Sequence, residues 1–421
     1  MKHCISCGKE LPEQPLFVLE SAPASAQDIP DSCEVKTDRG VTLNLCQCVH
    51  CGLVQFDCIP VSYYKDVIRA GGFSTTMTEL RRRQYRHLIE TYHLEGKKFL
   101  EVGCGRGEFL QVLREFPVEV YGMEHKEDLV KIAVESGLNV WREFPDTEAQ
   151  KFGHTEEQSV AGIMEQEFTD AADRKTAADA VKGPFDVFLS FNFLEHQPHP
   201  DVMLRAIYNN LTENGMGLVT VPSLEYILEQ GSYYELIRDH IAYYSFDTLR
   251  NLLERCGFQV LEEEIINRDT IAMIVKKVPA DDVDADETGG AESVSVDSMI
   301  EGYDIVIRDI AEIMKILQSQ GRRLAIWGAS HQGFTLAATT ALGGFAEYVI
   351  DSAPFKQGRF APASHLPIVA PDAFFENPVD AILIAAPGYT DEIAGIIRQR
   401  FGAGVQIMTL RTNHIEQLEN T

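Results

Sequence analysis

The pattern of apolar and polar positions changes character several times along the chain. Met77-Thr-Glu-Leu-Arg-Arg-Arg-Gln-Tyr-Arg-His-Leu-Ile-Glu90 reads as an amphipathic helix. It is followed by a short apolar strand (98–102), a Gly-rich turn, a helix (108–115), a strand (118–123) and a helix (128–136). Strands alternating with helices predict parallel β-α-β units, because a crossover helix is the ordinary way to join parallel neighbours. A further strand is expected at Phe185-Asp-Val-Phe-Leu-Ser190, another at Gly217-Leu-Val-Thr-Val221, and a late pair near 258–260 and 270–275. The polar, acidic stretch 144–182 reads as an inserted surface excursion carrying a short helix or two.

The ends of the chain differ from this middle. Residues 1–60 lack long apolar periodicity and can hardly bury a core alone, so a staple is expected there. Residues 280–297 are acidic and contain Gly and Ser, the composition of a linker. Beyond them a helix (298–318) precedes the strand Arg323-Leu-Ala-Ile-Trp327, the turn Gly328-Ala-Ser-His-Gln-Gly333 and a small-residue helix. Strands at 347–351, 381–385 and 405–410 then predict a second α/β layer. The expected organisation is an N-terminal module (1–60), a Rossmann-like α/β domain (61–279), the linker, and a second Rossmann-like domain (298–421).

Composition narrows the function. A length of 421 residues suits two or three domains, and 45% hydrophobic with 24% charged residues is ordinary for a soluble protein. With 37 Lys and Arg against 64 Asp and Glu, the net charge is −27. Such a chain repels phosphate backbones, which argues against nucleic acid as a partner but leaves room for a small anion held by local cations. No apolar run approaches the roughly 18 residues of a membrane span, and the N-terminus lacks a signal-peptide pattern, so no membrane partner and a cytoplasmic setting are expected.

Six of nine cysteines fall within the first 51 residues. Cys4-x2-Cys7 and Cys48-x2-Cys51 have the spacing of paired thiolates on tetrahedral zinc, and a closed four-sulfur site is structural. Reduced, unliganded thiols are the plainer alternative, and Cys33, Cys46, Cys58, His3 and His50 are spare donors.

Glu101-Val-Gly103-Cys-Gly105-Arg-Gly107 lies between a strand and a helix, where glycines admit a ligand close to the backbone and the helix N-terminus faces it. Alone, such a loop is shared by many nucleotide sites. Glu124, at the end of the next strand, can accept hydrogen bonds from both hydroxyls of a ribose. The loop, with Phe185-Asp186 and Asn192-Phe-Leu-Glu195-His196, resembles the motifs of class I S-adenosylmethionine methyltransferases rather than a nicotinamide dinucleotide fingerprint.

A wider resemblance covers nearly the whole chain. The two Cys-x2-Cys pairs, Cys48-x2-Cys51-Gly-Leu-Val-Gln55, Trp327-Gly-Ala-Ser-His-Gln-Gly-Phe-Thr-Leu336, Ile350-Asp-Ser-Ala-Pro-Phe-Lys-Gln-Gly-Arg359 and His365-Leu-Pro-Ile368 together resemble the sugar C-methyltransferases. Members of that family act on nucleotide-linked keto-deoxysugars. The resemblance implies S-adenosylmethionine bound by Glu101, Gly103, Gly105, Gly107, Glu124 and Asn192. It also implies a structural Zn2+ on Cys4, Cys7, Cys48 and Cys51, and a C-terminal domain that helps hold a nucleotide-sugar. Gly328, Gly333 and the cations Lys356 and Arg359 suit a phosphate, and His331 and Tyr243 join the expected substrate contacts. A plain scaffold with a surface Lys-Gln-Gly-Arg turn is the alternative.

Methylating the carbon beside a ketone needs a base for the α-proton and a stabiliser for the enolate oxygen. Arg238-Asp239-His240-Ile-Ala-Tyr243-Tyr244-Ser245 resembles the family segment with a carboxylate–histidine pair, which implies His240 as base with Asp239, and His196 as a second pocket histidine. The family has Glu where this chain has Asp239, and a tyrosine where it has Ile237, so the polarising group is open among Tyr233, Tyr234, Tyr243 and Tyr244. Tyr63-Tyr64 and Phe73-Ser74 are expected near a pocket lid. The competing functions are O- or N-methyl transfer to a sugar, and a cofactor-binding assembly protein without turnover.

Overall fold

The computed structural model describes residues 2–66, 74–153, 183–279 and 292–418. In the N-terminal segment β1 (Phe17–Ala22), β2 (Val41–Gln47) and β3 (Val54–Phe56) form an antiparallel sheet. The middle of the chain supplies β4 (Lys98–Val102), β5 (Glu119–Glu124), β6 (Asn139–Arg142), β7 (Phe185–Phe191), β8 (Leu211–Pro222), β9 (Ala242–Tyr243), β10 (Phe258–Ile266) and β11 (Thr270–Lys277). The C-terminal part supplies β12 (Leu324–Trp327), β13 (Val349–Ile350), β14 (Ile368–Val369), β15 (Ala381–Ile384), β16 (Gln406–Arg411) and β17 (His414–Leu418).

Among the described residues these strands make three sheets. The middle sheet has the order β10-β11-β8-β7-β4-β5-β6, and the C-terminal sheet β14-β13-β12-β15-β16-β17. The two share a plan. β6-β5-β4-β7-β8 matches β14-β13-β12-β15-β16, with parallel pairing throughout, and each sheet turns antiparallel at β11 or β17. Both strand orders reverse beside the first strand, so each leaves a crevice at its carboxyl edge between β4 and β7 or between β12 and β15.

The α/β elements form where the apolar pattern places them: helix Thr75–Tyr92 for the first amphipathic run, β4 at 98–102, and helix Asp297–Ser319 for the run after the linker. Ser74, Ser245 and Ser330 cap three of the helices, each side-chain oxygen accepting a backbone N–H of the first turn. The short elements β1, β2, β6, β14 and β17 have no counterpart in the sequence reading. The segment 144–153 also departs from the expected surface excursion. Phe144 and Phe152 are buried, and the Asn210 side chain ties that backbone down by accepting from Phe152 N at 2.8 Å and donating to Gln150 O at 2.7 Å. The rest of the expected excursion, 154–182, lies outside the described residues, as do Phe73 and most of the linker.

The N-terminal sheet is completed from the middle of the chain. The strand order is β1-β2-β3-β9, with Val54 opposite Tyr243 and Gln55 opposite Ala242. Leu19, Leu43 and Phe56 from the N-terminal sheet, Leu194 and Tyr244 from the middle, and Met299, Phe334 and Leu342 from the C-terminal part bury in one continuous core. No described helix is long and apolar enough to cross a membrane.

Candidate active site

The loop after β4 rises over the carboxyl edge of the middle sheet. Gly103, Gly105 and Gly107 all adopt left-handed conformations, with φ of +72°, +59° and +81°. Gly103 lies against the Phe193 ring, where an added Cβ would sit 3.0 Å from it. Gly107 has a different reason to be glycine: a Cβ there would strike Leu138 at 2.2 Å, so close packing of the following helix requires it. Glu124 ends β5, with Oε2 accepting from Gly105 N at 2.9 Å and Oε1 from Lys126 N at 2.9 Å. These two bonds fix the carboxylate against the loop. Glu101 is fully buried in β4. Asn192, at φ +46°, is locked to β8 by its N–H on Thr220 O at 2.8 Å and by accepting Thr220 Oγ1 at 3.0 Å. Beneath it the buried Arg81 stacks 3.7 Å from the Phe191 ring, a charged core residue that the amphipathic pattern of its helix did not signal. Glu124 thus presents a fixed acceptor at the strand end beside the glycine loop, the chemistry that a ribose diol requires.

Two histidines meet above that crevice. His196 follows β7 in the turn Leu194–His196, and His240 sits in the loop leading to β9. Their rings are 4.8 Å apart at 70°. His196 Nδ1 lies 2.6 Å from the main-chain oxygen of Asp239. A carbonyl only accepts, so Nδ1 carries the proton and Nε2 keeps its lone pair. Nε2 is 3.9 Å from Glu195 Oε1. Burial holds His196 neutral, its pKa pushed down to about 4. Burial above all also pushes His240 well below the usual histidine value. Glu195, His196 and His240 place one ligand atom each within 4.8 Å of one another.

That depression links His196 to stability. The unfolded side chain titrates near 6.5 and the folded one near 4, so the unfolded state binds the proton first. The contribution is fully present above about pH 6.5 and is lost as pH falls toward 4, amounting to about 3 kcal/mol at the acid end. The thermal midpoint should drop through this window, and His196→Gln should flatten the drop; an unchanged slope in the variant would assign the acid sensitivity to other groups.

Asp239 does not pair with the neighbouring imidazole, although it was expected among the catalytic groups. Its Oδ1 accepts from the Tyr63 hydroxyl at 2.6 Å and its Oδ2 from Ala26 N at 2.8 Å. Adjacent side chains in an irregular loop diverge, and this carboxylate faces the N-terminal segment. Burial raises its pKa. Arg238 reaches the same segment through Ile59 O and Ala24 O. Tyr63 therefore belongs to the loop that carries His240, while Tyr64 packs edge-on against Phe144 at 6.1 Å.

The expected substrate contacts are redistributed in the same way. Tyr243 is buried, and its hydroxyl accepts from Ile237 N at 2.9 Å, holding the loop rather than facing a ligand. Lys356 Nζ donates to Ala329 O at 2.7 Å and pairs with Asp351 at 3.2 Å. Arg359 donates to Ile29 O at 2.6 Å. Lys356 is thereby tied to its own turn, while Arg359 stays exposed to solvent apart from that one bond. Gly328, at φ +123°, packs on Ala385 O, where a Cβ would come within 2.9 Å. Asp351 accepts from Ala329 N at 2.9 Å, repeating at the second sheet the Glu124–Gly105 contact of the first. His331 bonds Glu235 at 2.9 Å, so the C-terminal part reaches the loop that holds His240.

The four cysteines also converge. Cys4 Sγ and Cys51 Sγ are 3.5 Å apart, as are Cys7 Sγ and Cys48 Sγ, and all four lie within 4.8 Å of one another. A tetrahedron of Zn–S bonds near 2.3 Å has edges of about 3.8 Å, so the set fits a tetrahedral ion. Gly8 and Gly52, each following the second cysteine of a pair, turn left-handed at φ +71° and +78° and donate back to Cys4 O and Cys48 O. Cys33 is exposed and Cys46 turns toward Asn44 O, so neither joins the cluster.

The family model described as methyltransferase domain matches residues 77–263, and the one described as C-methyltransferase C-terminal domain matches 298–410. The chain is 23% identical over 313 residues to C-methyltransferase NovU of Streptomyces niveus, covering 71% of this chain and 68% of that one. Similar solved structures include an S-adenosylmethionine-dependent methyltransferase from Aquifex aeolicus, 15% identical, covering 48% of this chain and 93% of that one at a TM-score of 0.32. Another is magnesium protoporphyrin IX methyltransferase from Synechocystis with bound S-adenosylhomocysteine, 13% identical, covering 48% and 83% at a TM-score of 0.33. The chain belongs to the S-adenosylmethionine-dependent methyltransferases, and among them to the C-methyltransferases in which that domain is followed by the C-methyltransferase C-terminal domain.

Proposed function

We propose that the protein transfers a methyl group from S-adenosylmethionine to the carbon beside the carbonyl of a nucleotide-linked ketosugar, with His240 as base. The observation that carries this reading is the pair of facing histidines, His196 buried and His240 only partly so, both held below the ordinary histidine pKa. The cofactor supplies a methyl already activated by a sulfonium charge, which leaves deprotonation and alignment to the protein. His240 accepts the α-proton, and Glu195 stabilises the imidazolium that forms. His196, held by the Asp239 main chain, fixes the height of the His240 ring. Asp239 acts through Tyr63 and Ala26 as a positioning residue for the loop.

Nucleotide-sugar recognition is assigned to the C-terminal part where His331 meets the loop 233–241, with Gly328 in the turn before that helix. Lys356 and Arg359 support it through their bonds to Ala329 O and Ile29 O. The four N-terminal cysteines hold one structural zinc ion, and the protein works in the cytoplasm. Screening nucleotide-linked ketosugars for S-adenosylhomocysteine formation tests the reaction. The product's methyl resonance separates C–CH3 from O–CH3 or N–CH3, and a heteroatom-linked methyl would overturn carbon transfer. Because Glu195, His196 and His240 are also spaced for a cation, turnover that rises on adding Mg2+ or Mn2+ would replace the base with a metal.

Glu124 is assigned to the cofactor ribose. Glu124→Ala should weaken S-adenosylmethionine binding by roughly 1.5–3 kcal/mol, the range for hydrogen bonds to a charged group. Unchanged affinity by calorimetry would move the contact elsewhere.

A further inference from the structure

Glu195, His196 and His240 are arranged in a way that proton transfer alone does not require. Glu195 and His196 are neighbours in the turn Leu194–His196 that follows β7, while His240 comes from the loop before β9. Consecutive side chains in a tight turn ordinarily diverge. Here each of the three places one ligand atom within 4.8 Å of the other two. Glu195 and His196 are buried and His240 is half-buried, so the cluster is not a chance meeting of mobile surface groups.

The bonding of His196 prepares it as a ligand. Its Nδ1 donates to the Asp239 main-chain oxygen at 2.6 Å, so Nε2 is the atom with a lone pair to give. A histidine that holds a metal characteristically donates its other N–H to a carbonyl or carboxylate, which fixes both tautomer and ring. Nε2 stands 3.9 Å from Glu195 Oε1, too far for a hydrogen bond. Two ligands each about 2.0–2.2 Å from a tetrahedral ion are about 3.4 Å apart, so a shift of about half an ångström would bring this pair onto one ion. The His240 ring lies 4.8 Å from that of His196 at 70°. Imidazole lone pairs lie in the ring plane, and planes at this angle can aim at one point where parallel stacked rings could not.

We propose that Glu195, His196 and His240 form a second metal site, separate from the four cysteines, for a divalent transition ion of the Zn2+ or Co2+ kind. Two imidazole nitrogens and one carboxylate oxygen suit such ions, whereas Mg2+ and Ca2+ favour oxygen ligands. Three protein ligands leave the fourth corner of a tetrahedron open to water, the pattern of an exchangeable site rather than of a closed structural one. The buried carboxylate offsets part of the ion's charge.

The consequence for turnover rests on the ketosugar reading above, although the site itself does not. The ion bonds to the imidazole lone pair that His240 needs for the α-proton. Metal occupancy and substrate deprotonation therefore exclude one another, and the site is inhibitory. Removing the ion returns the lone pair, so the inhibition is reversible.

The experiment adds Co2+ to the full chain purified without chelator. One ion per chain should bind with the weak visible bands of nitrogen and oxygen ligation and without the intense near-ultraviolet band of a thiolate ligand. Glu195→Gln and His240→Gln should each weaken that binding by about 10–100-fold. Should a variant fail to fold, histidine NMR of the wild type decides, since bound Co2+ should shift or broaden the His196 and His240 ring signals before those of other histidines. Saturating Zn2+ should lower α-proton exchange of thymidine-diphosphate-ketodeoxyglucose into deuterium oxide by about 10²-fold, and desalting should restore it. No added ion, a thiolate band, or unchanged affinity in folded variants would overturn the site. Zn2+ that binds yet leaves exchange unchanged, or raises it, would overturn the inhibitory role. If the probe does not exchange even without added metal, the ketosugar reading fails, and the cobalt spectrum still decides whether the site exists.

Discussion

His240→Ala should lower methyl transfer by about 10²–10⁴-fold while S-adenosylmethionine and substrate still bind. The ring is neutral because burial disfavours its charged form, so its lone pair is available without prior deprotonation. The wild-type rate should therefore show no acid limb at the ordinary histidine pKa near 6.5 and should persist below it. The same variant should not wash deuterium into the α-carbon in the absence of cofactor. Near-normal turnover would rule out the assignment. The next candidate is His196, whose Nε2 lone pair faces the same space but whose ring is fully enclosed. Loss of exchange in His196→Ala alone, with His240→Ala still exchanging, would transfer the role.

The second large effect is expected at the N-terminus. Protein purified without chelator should carry one zinc ion per chain, and Cys48→Ser should lower the thermal midpoint rather than remove chemistry selectively. Cys4 and Cys7 precede β1, and Cys48 and Cys51 lie between β2 and β3, so an ion held by all four would close a loop of about 40 residues. Structural zinc contributes on the order of 10 kcal/mol to small modules that cannot bury a core. Here the consequence travels further, since β3 pairs with β9, and Ala242 stands two residues from His240. Loss of the ion should thus loosen the base as well, lowering turnover in proportion to the folded fraction. Metal content well below one per chain, or a Cys48→Ser variant as stable as wild type, would refute the assignment.

The middle and C-terminal layers were legible because their chemistry is local. An apolar run followed by glycines and a second apolar run sets the position of β4, its loop and β5, and Glu124 falls at the strand end by counting. The paired Cys-x2-Cys-Gly segments were legible for the same reason, each being a turn that five residues define. Residues 1–60 were less so. β1 and β2 gain their order from pairing and from a core shared with distant elements, and no short-range period signals either.

Sequence by itself determined the two α/β layers, the cofactor loop and the four clustered thiols, because each depends on spacing within a few residues. It also singled out His196 and His240. Only the tertiary structure decided what surrounds them. Asp239 turns from His240 to Tyr63 and Ala26, more than 170 residues away, and Lys356 and Arg359 each reach a backbone oxygen, that of Ala329 and that of Ile29. Glu235 meets His331 across 96 residues of chain. A side chain's partner in an irregular loop depends on which distant segment the core brings against it, and no local period encodes that.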